Sequence, residues 1–491
     1  MNIKPPNSPI DLGHFIGGQW TSGQGTPVNV LSPYTGELIG SFTNANPDLV
    51  DKGVQSAHLA SKAWAKVPIK ERSQVMFRFR QILLDRIDEI ANIVSCENGK
   101  TLGESKAGLM KGVEVLEFAI SLQNMDSGSK MEVSRGVHCE YRREPLGVIA
   151  NITPFNFPAM VPMWTIPIAI TLGNSYVWKP SEKTPLTSLW IANAFKDAGL
   201  PDGVLTVMQG GQATAEAVID HPLVKAIGFV GSTKVASSVY RRGTALGKRV
   251  LALGGAKNHI ILLPDSDPSI CGRGISDSFT GCAGQRCMAA SVLLAVGDCE
   301  KQIAAIKERA SSLTMGSEMG AIITKDQVDF LHGAIAKAEK EGAKIILDGR
   351  QSKAPKDYSG GYWLGPTILD HVTGDMEAAS KELFGPIISI IRCKNISEAM
   401  KIENANPYGN ACSVFTNNGG LAEQVVEAAA AGMVGINIGV PVPREPFSFG
   451  GVHDSKFGHG DITGVHSLNF WSDMKKVTSK WNMQDDHNWM S

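Results

Sequence analysis

Residues 147–158, Gly147-Val-Ile-Ala-Asn-Ile-Thr153-Pro-Phe-Asn156-Phe-Pro158, carry the pattern that decides the fold. A short, mainly apolar run (148–152) stops at a turn stiffened by prolines, which reads as a buried strand ending in a constrained loop. Comparable runs follow at 175–178, 204–207 and 226–229, separated by helical periodicity at 186–198, 212–220 and 234–246. Strands alternating with helices in this way predict β-α-β units and a parallel sheet. A second alternating set begins near Asn258, with runs at 260–263, 292–296, 345–347, 386–391 and 411–415, and predicts a second α/β domain.

Upstream, apolar residues at helical spacing, among them Val75, Phe79, Ile82, Leu83, Ile87 and Ile90, predict amphipathic helices over 47–65 and 70–98, then another over 101–121. Alternation over 131–143 fits an exposed strand or hairpin, and 475–481 fits a short β tail of the kind that pairs with another subunit. The apolar stretch 157–172 is broken by Pro158, Pro162 and Pro167. It also falls short of the roughly 18 residues that suggest a membrane span, so it reads as a buried segment.

A chain of 491 residues is too long for one core, and two or three domains are expected. Lys plus Arg (47) almost cancel Asp plus Glu (48), so the charge balance points to neither nucleic acid nor membrane. Eight cysteines lie scattered with no C-x-x-C pair and no Cys/His cluster at zinc spacing, which indicates neither a disulfide framework nor a metal. The N-terminus lacks a basic start followed by an unbroken apolar run, so a cytoplasmic location is the default expectation.

Six short features are chemically suggestive. In Gly281-Cys-Ala-Gly-Gln-Arg286-Cys287, a cysteine follows a Gly-containing turn, beside a cation able to lower a thiol pKa. Taken alone, it is equally compatible with a buried packing cysteine. Asn156 offers a rigid amide donor at the end of a predicted parallel strand, where α/β sheets place ligands; alone, it reads more simply as a turn residue. Lys179-Pro-Ser-Glu182 presents a cation and a carboxylate from one strand end, suited to ribose hydroxyls. Gly228-Phe-Val-Gly231-Ser232-Thr233 joins a strand to a helix whose N-terminus suits a pyrophosphate. The G-x-G-x-x-G and Walker A patterns are absent. Leu253-Gly-Gly255 and Glu382-Leu-Phe384-Gly-Pro386 are, individually, only turns.

Taken in their order along the chain, from Thr153 to Pro386, the six features resemble the aldehyde dehydrogenase superfamily over almost its whole length. The resemblance implies an α/β protein with a Rossmann-like cofactor domain (9–126 and 147–253), an α/β catalytic domain (254–466) and a small β oligomerisation domain (127–146 and 467–491) that builds a homodimer or homotetramer. It also implies Cys287 as nucleophile and Asn156, with the Cys287 N–H, as oxyanion donor. Thr153, Phe155, Lys179, Glu182, Gly231, Ser232, Glu382 and Phe384 are implied to bind the cofactor. Glu182 would repel a 2′-phosphate, favouring NAD over NADP.

Two departures narrow the resemblance. Where hydrolytic members carry a water-activating glutamate before Leu253-Gly-Gly255, this chain has Ala252, which cannot act as a base. A further acidic position near the C-terminus aligns with Ile462. Together with Gly255-Ala-Lys-Asn-His259, Asn406-Pro-Tyr-Gly409, Gly439-Val-Pro-Val-Pro443 and Phe447-Ser-Phe-Gly-Gly451, this is similar to the CoA-acylating methylmalonate-semialdehyde dehydrogenase branch. That likeness implies semialdehyde and CoA as substrates, decarboxylation of a Cys287 thioester, and a place in valine or inositol catabolism. It also implies that Arg286 and a second cation hold the substrate carboxylate. The second position is Lys111, which keeps the charge but not the planar fork of an arginine. The alternative for Arg286 is a structural carboxylate partner, the less favoured reading, and the loop Arg444-Glu-Pro-Phe-Ser-Phe449 departs from the branch. A hydrolytic aldehyde dehydrogenase and a non-catalytic binding protein on the same fold are the alternatives; free acid released without CoA would mark the first, failure to bind NAD the second.

Overall fold

The computed structural model describes residues 3–125 and 128–481. The ends of the segments expected at 9–126, 127–146 and 467–491 therefore fall partly outside the described residues.

Three of the five sheets among the described residues organise the chain. The first runs, edge to edge, Lys456–Phe457, Arg249–Leu253, Val224–Val230, Val148–Ile152, Ser175–Lys179, Leu205–Val207, His14–Ile16 and Gln19–Thr21. Its five central strands are parallel, and the short strands at both flanks are antiparallel. Chain order therefore reverses between Val148–Ile152 and Val224–Val230. Loops leaving the carboxyl ends of two such strands diverge and leave a crevice, the usual ligand position in open α/β sheets.

The second sheet runs Lys344–Leu347, Thr367–Asp370, Ile387–Cys393, Ala290–Val296, Asn258–Leu262, Ala411–Phe415 and Met433–Ile436, all parallel except the first. Only Gly254 to Lys257 separate the carboxyl end of Arg249–Leu253 from the amino end of Asn258–Leu262. The carboxyl edge of one sheet thus faces the amino edge of the other, and everything placed on those edges meets in one cleft. Lys456–Phe457 crosses back to pair with Arg249–Leu253, so a segment inside the 254–466 expectation joins the first sheet.

The third sheet is the hairpin Ser129–Ser134 and Val137–Pro145 completed by Ser472–Lys480, which pairs within its own chain. Its outer strand is exposed along its whole length and displays Met131 and Val133. An unpaired, partly apolar edge of this kind is a ready template for another chain.

Local sequence accounts for the helices around the first sheet. Pro47–Trp64 starts where the Asn46 side chain accepts the Leu49 N–H at 2.9 Å, with proline in the first turn, and buries Val50, Val54, Ala57, Ser61 and Trp64 at alternating spacings of four and three. The expected helix over 70–98 is two, Ile69–Asp85 and Ile87–Asn98. Arg86 leaves the helical basin at the junction, forks onto Glu89 at 2.8 Å and lies over the Trp190 ring. Apolar spacing alone does not detect such a bend, because both segments keep a buried face. The proline-broken stretch becomes the helix Met160–Thr171, buried on all sides. No helix among the described residues is long and apolar enough to cross a membrane.

Candidate active site

Cys287 lies at the amino edge of the second sheet, three residues before Ala290–Val296. The turn that delivers it needs Cys282, Ala283 and Gly284 in succession at φ of 54°, 51° and 69°. Gly284 has no alternative: a Cβ there would stand 2.0 Å from the Gly385 carbonyl oxygen. The turn is pinned from three sides. Glu104 accepts the Cys282 N–H at 2.5 Å, the Gln285 side chain accepts the Ile323 N–H at 3.0 Å, and the Gln285 amide reaches the Cys282 and Ala321 carbonyls.

The Cys287 carbonyl is clamped by two buried amides, Asn258 Nδ2 at 2.7 Å and Asn410 Nδ2 at 2.8 Å. Asn258 also donates to the Ala289 carbonyl and accepts the Ala411 N–H, so one side chain ties the nucleophile's strand to two neighbouring segments.

Asn156 projects from the turn after Val148–Ile152 and donates Nδ2 to the Gln285 carbonyl at 3.1 Å, two residues from Cys287. A primary amide has two N–H groups, so one remains to serve an oxyanion. The turn itself is held by the buried Lys100, whose ammonium donates to the Asn156 carbonyl, bonds Asn98 Oδ1 at 3.1 Å and sits 4.1 Å from the Phe157 ring centroid. Asn98 in turn donates to the Phe155 carbonyl at 2.7 Å.

The cleft's electrostatics keep the resting thiol neutral. Burial, followed by the nearby Glu382 carboxylate, pushes the Cys287 thiol up to about 12, while Arg286 and Lys100 act in the opposite sense. Glu382 accepts the Ala256 N–H at 3.0 Å and is itself pushed up to about 7 by burial. Lys257, which donates to the Ala378 carbonyl at 2.9 Å, is lowered to about 7 by burial, with Glu382 partly compensating.

The expected cofactor residues come together along the crevice. Lys179 and Glu182 pair at 3.3 Å, the lysine buried and the glutamate largely exposed. Ser232 precedes the helix Thr233–Ala245 and its side chain makes no capping hydrogen bond among the described residues, so its hydroxyl and the helix's first N–H groups face the position an anion would take. Gly231 donates its N–H to the Leu253 carbonyl. Phe155 and Phe384 meet edge to face at 5.9 Å. Thr153 has a more structural position: its hydroxyl accepts the Trp178 indole N–H at 2.8 Å.

The two cations expected to hold a carboxylate are both engaged. The Arg286 guanidinium folds back over Gly281, where a Cβ would collide with it, and donates Nη2 to the Asp277 and Ser278 carbonyls at the end of the helix Pro268–Thr280. Its Nε is buried and has no hydrogen-bond partner among the described residues. Lys111 is bound by Glu445 at 2.7 Å and Glu114 at 3.1 Å. Ala252 and Ile462 are completely buried within apolar clusters.

Sequence reasoning missed Lys100, Glu104, Gln285, Asn410 and the structural role of Asn258. The motif containing Asn258 was visible, but nothing in it indicated which carbonyl the amide would hold.

The aldehyde dehydrogenase family model matches residues 20–477, and the chain belongs to the aldehyde dehydrogenase family. Malonate-semialdehyde dehydrogenase 2 of Geobacillus kaustophilus (strain HTA426) is 39% identical over 479 residues, covering 96% of this chain and 99% of the relative. Among solved structures, the methylmalonate-semialdehyde dehydrogenase of Oceanimonas doudoroffii aligns with a TM-score of 0.94 at 37% identity, over 96% of this chain and 99% of the other. A Sinorhizobium meliloti 1021 protein, described as a methylmalonate-semialdehyde dehydrogenase and complexed with NAD, aligns at 0.95 and 35% identity, over 97% and 99%.

Proposed function

We propose that this protein is an NAD-dependent, CoA-acylating dehydrogenase that converts malonate or methylmalonate semialdehyde into acetyl-CoA or propanoyl-CoA with loss of carbon dioxide. The observation that carries the reading is the Asn156 amide held on the Gln285 carbonyl, two residues before Cys287, in a chain whose positions 252 and 462 are a fully buried alanine and isoleucine.

The crevice residues fit NAD. The uncapped Ser232 and its helix N-terminus suit a pyrophosphate, the Lys179–Glu182 pair suits ribose hydroxyls, and the carboxylate of Glu182 disfavours a 2′-phosphate. Gly255 allows close approach of the chain beside Glu382, since a Cβ there would stand 2.3 Å from the carboxylate. When bound, the nicotinamide supplies the hydride acceptor.

The Cys287 sulfur, once deprotonated, adds to the aldehyde carbonyl, and Asn156 Nδ2 with the Cys287 N–H receives the developing oxyanion. Hydride loss leaves a thioester on Cys287. Loss of carbon dioxide from the acyl group places an enolate at the same oxygen, which the same two donors stabilise, and a proton from solvent at its α-carbon leaves an acetyl or propanoyl thioester on Cys287. The thiol of CoA then displaces Cys287. A thiol needs less activation than water, which makes a site without a glutamate at position 252 intelligible. Arg286 Nε and Lys111 are the cations for the substrate carboxylate. The exposed edge Ser129–Ser134 is the surface for a homodimer or homotetramer, and the enzyme acts in the cytoplasm, in valine or inositol catabolism.

Steady-state NADH formation from methylmalonate semialdehyde and from propanal, each with and without CoA and with products identified by mass, tests the reading. CoA-dependent turnover yielding propanoyl-CoA and carbon dioxide is expected. A second reading, hydrolysis, rests on Glu382, a carboxylate raised to about 7 close to Cys287 and so able to act as a base near neutrality. Free acid formed without CoA, and lost in Glu382→Gln, would establish that reading instead.

A further inference from the structure

We propose that Glu445 is a built-in competitor for the cation that receives the substrate's carboxylate, and thereby sets how readily this site accepts an acidic aldehyde. The inference rests on the acid-semialdehyde reading above.

The helix Leu102–Met125 and the loop 440–449 meet through Lys111 and Glu445, and both pack on the large apolar cluster that Cys287 also borders. On that helix, Cβ atoms added at Gly108 and Gly112 would lie 3.8 Å from Phe157 and 3.1 Å from Met163 respectively, so the stretch bearing Lys111 packs against the start of Met160–Thr171. From the loop, Phe449 packs on Trp164 with ring centroids 4.6 Å apart. Cys287, Phe157, Met160, Val440 and Val442 border the same apolar cluster.

At this junction Glu445 reaches Lys111 at 2.7 Å with only 8% of its side chain exposed, against 16% for the lysine. Glu114 bonds Lys111 at 3.1 Å and also takes Arg444 at 2.5 Å, the arginine being 77% exposed. Two cations and two carboxylates leave the group with no net charge. An ammonium has three donors, two of which are occupied here, and it lacks the planar fork with which an arginine holds two carboxylates side by side. A substrate carboxylate must therefore displace Glu445 or settle beside it against charge repulsion. The partly buried position of the pair makes that repulsion stronger than it would be on an open surface.

The test compares alkylation of Cys287 by anionic iodoacetate and neutral iodoacetamide, read by mass on the Cys287 peptide. The ratio of the two rates reports the charge met on the way to the sulfur and cancels the thiolate fraction. In Glu445→Gln the iodoacetate-to-iodoacetamide ratio should rise about three- to fivefold, and KM for malonate semialdehyde should fall relative to that for propanal. In Lys111→Met the ratio should fall, which keeps the test alive if the first variant does not fold. A ratio unchanged within about twofold, or lowered, in Glu445→Gln overturns the proposal, the latter meaning that Glu445 orients Lys111 for the substrate. A shifted ratio with no matching change in KM also overturns it. Alkylation requires neither CoA nor turnover, so failure of the proposed reaction shows separately, as absence of CoA-dependent product.

Discussion

Asn258→Ala should destabilise the protein far more than Asn410→Ala, although both amides hold the carbonyl of the nucleophile. Asn258 is buried and makes three hydrogen bonds, to the Cys287 carbonyl at 2.7 Å, the Ala289 carbonyl at 2.9 Å and the Ala411 N–H at 3.1 Å. Its removal deprives Ala289 and Ala411 of this partner, while Asn410 still serves Cys287. A buried backbone group left without a partner costs about 1–3 kcal/mol, and water entering the vacated space recovers part of it, so about 2–4 kcal/mol is expected. Asn410→Ala loses a carbonyl bond that Asn258 still supplies and a contact to the weak acceptor Met288 Sδ, worth about 1 kcal/mol. For a domain of some 200 residues each kcal/mol moves the melting temperature by about 2–4 °C, so calorimetry should show a loss of about 4–16 °C for Asn258→Ala and about 2–4 °C for Asn410→Ala. Equal losses, or an Asn258→Ala protein melting within about 2 °C of the parent, would refute the reasoning, because the clamp would then not be the network described.

Burial and Glu382 hold the Cys287 thiol near 12, so its labelling by iodoacetamide in the NAD-free protein should climb about tenfold per pH unit from pH 7 to 10; a plateau near pH 8 would contradict this. Glu382 has a folded pKa, about 7, above its unfolded value near 4.3, so its contribution to stability is present below the unfolded value and is lost as pH rises through 7. After allowance for its partial exposure, chemical denaturation should show the parent losing about 1–2 kcal/mol relative to Glu382→Gln between pH 5 and 8, and a pH-independent difference would count against the assignment. Asn156→Ala should cut kcat by about 10²–10³ as an oxyanion donor, whereas Lys100→Met, which loosens the turn carrying Asn156 but leaves its amide in place, should cost about tenfold in kcat with little change in KM. A Lys100→Met enzyme altered in KM alone would remove the positioning role.

The chain by itself determined the parallel centres of the two large sheets, because apolar runs near Val148–Ile152 and Asn258–Leu262 alternate with helical segments from residue 147 onward. It also determined which thiol and which amide to examine, since Cys287 and Asn156 stand in short local patterns at strand ends. Tertiary structure alone decided the strand order, and with it the crevice between Val148–Ile152 and Val224–Val230, because strand pairing is a long-range choice that local spacing does not encode. It alone decided that Lys111 is occupied by Glu445, 334 positions away in the chain, and that Arg286 turns back onto the end of the preceding helix. A charged side chain's partner is fixed by whichever opposite charge or carbonyl the folded backbone brings within about 3 Å, and no pattern in the sequence near Lys111 carries that information.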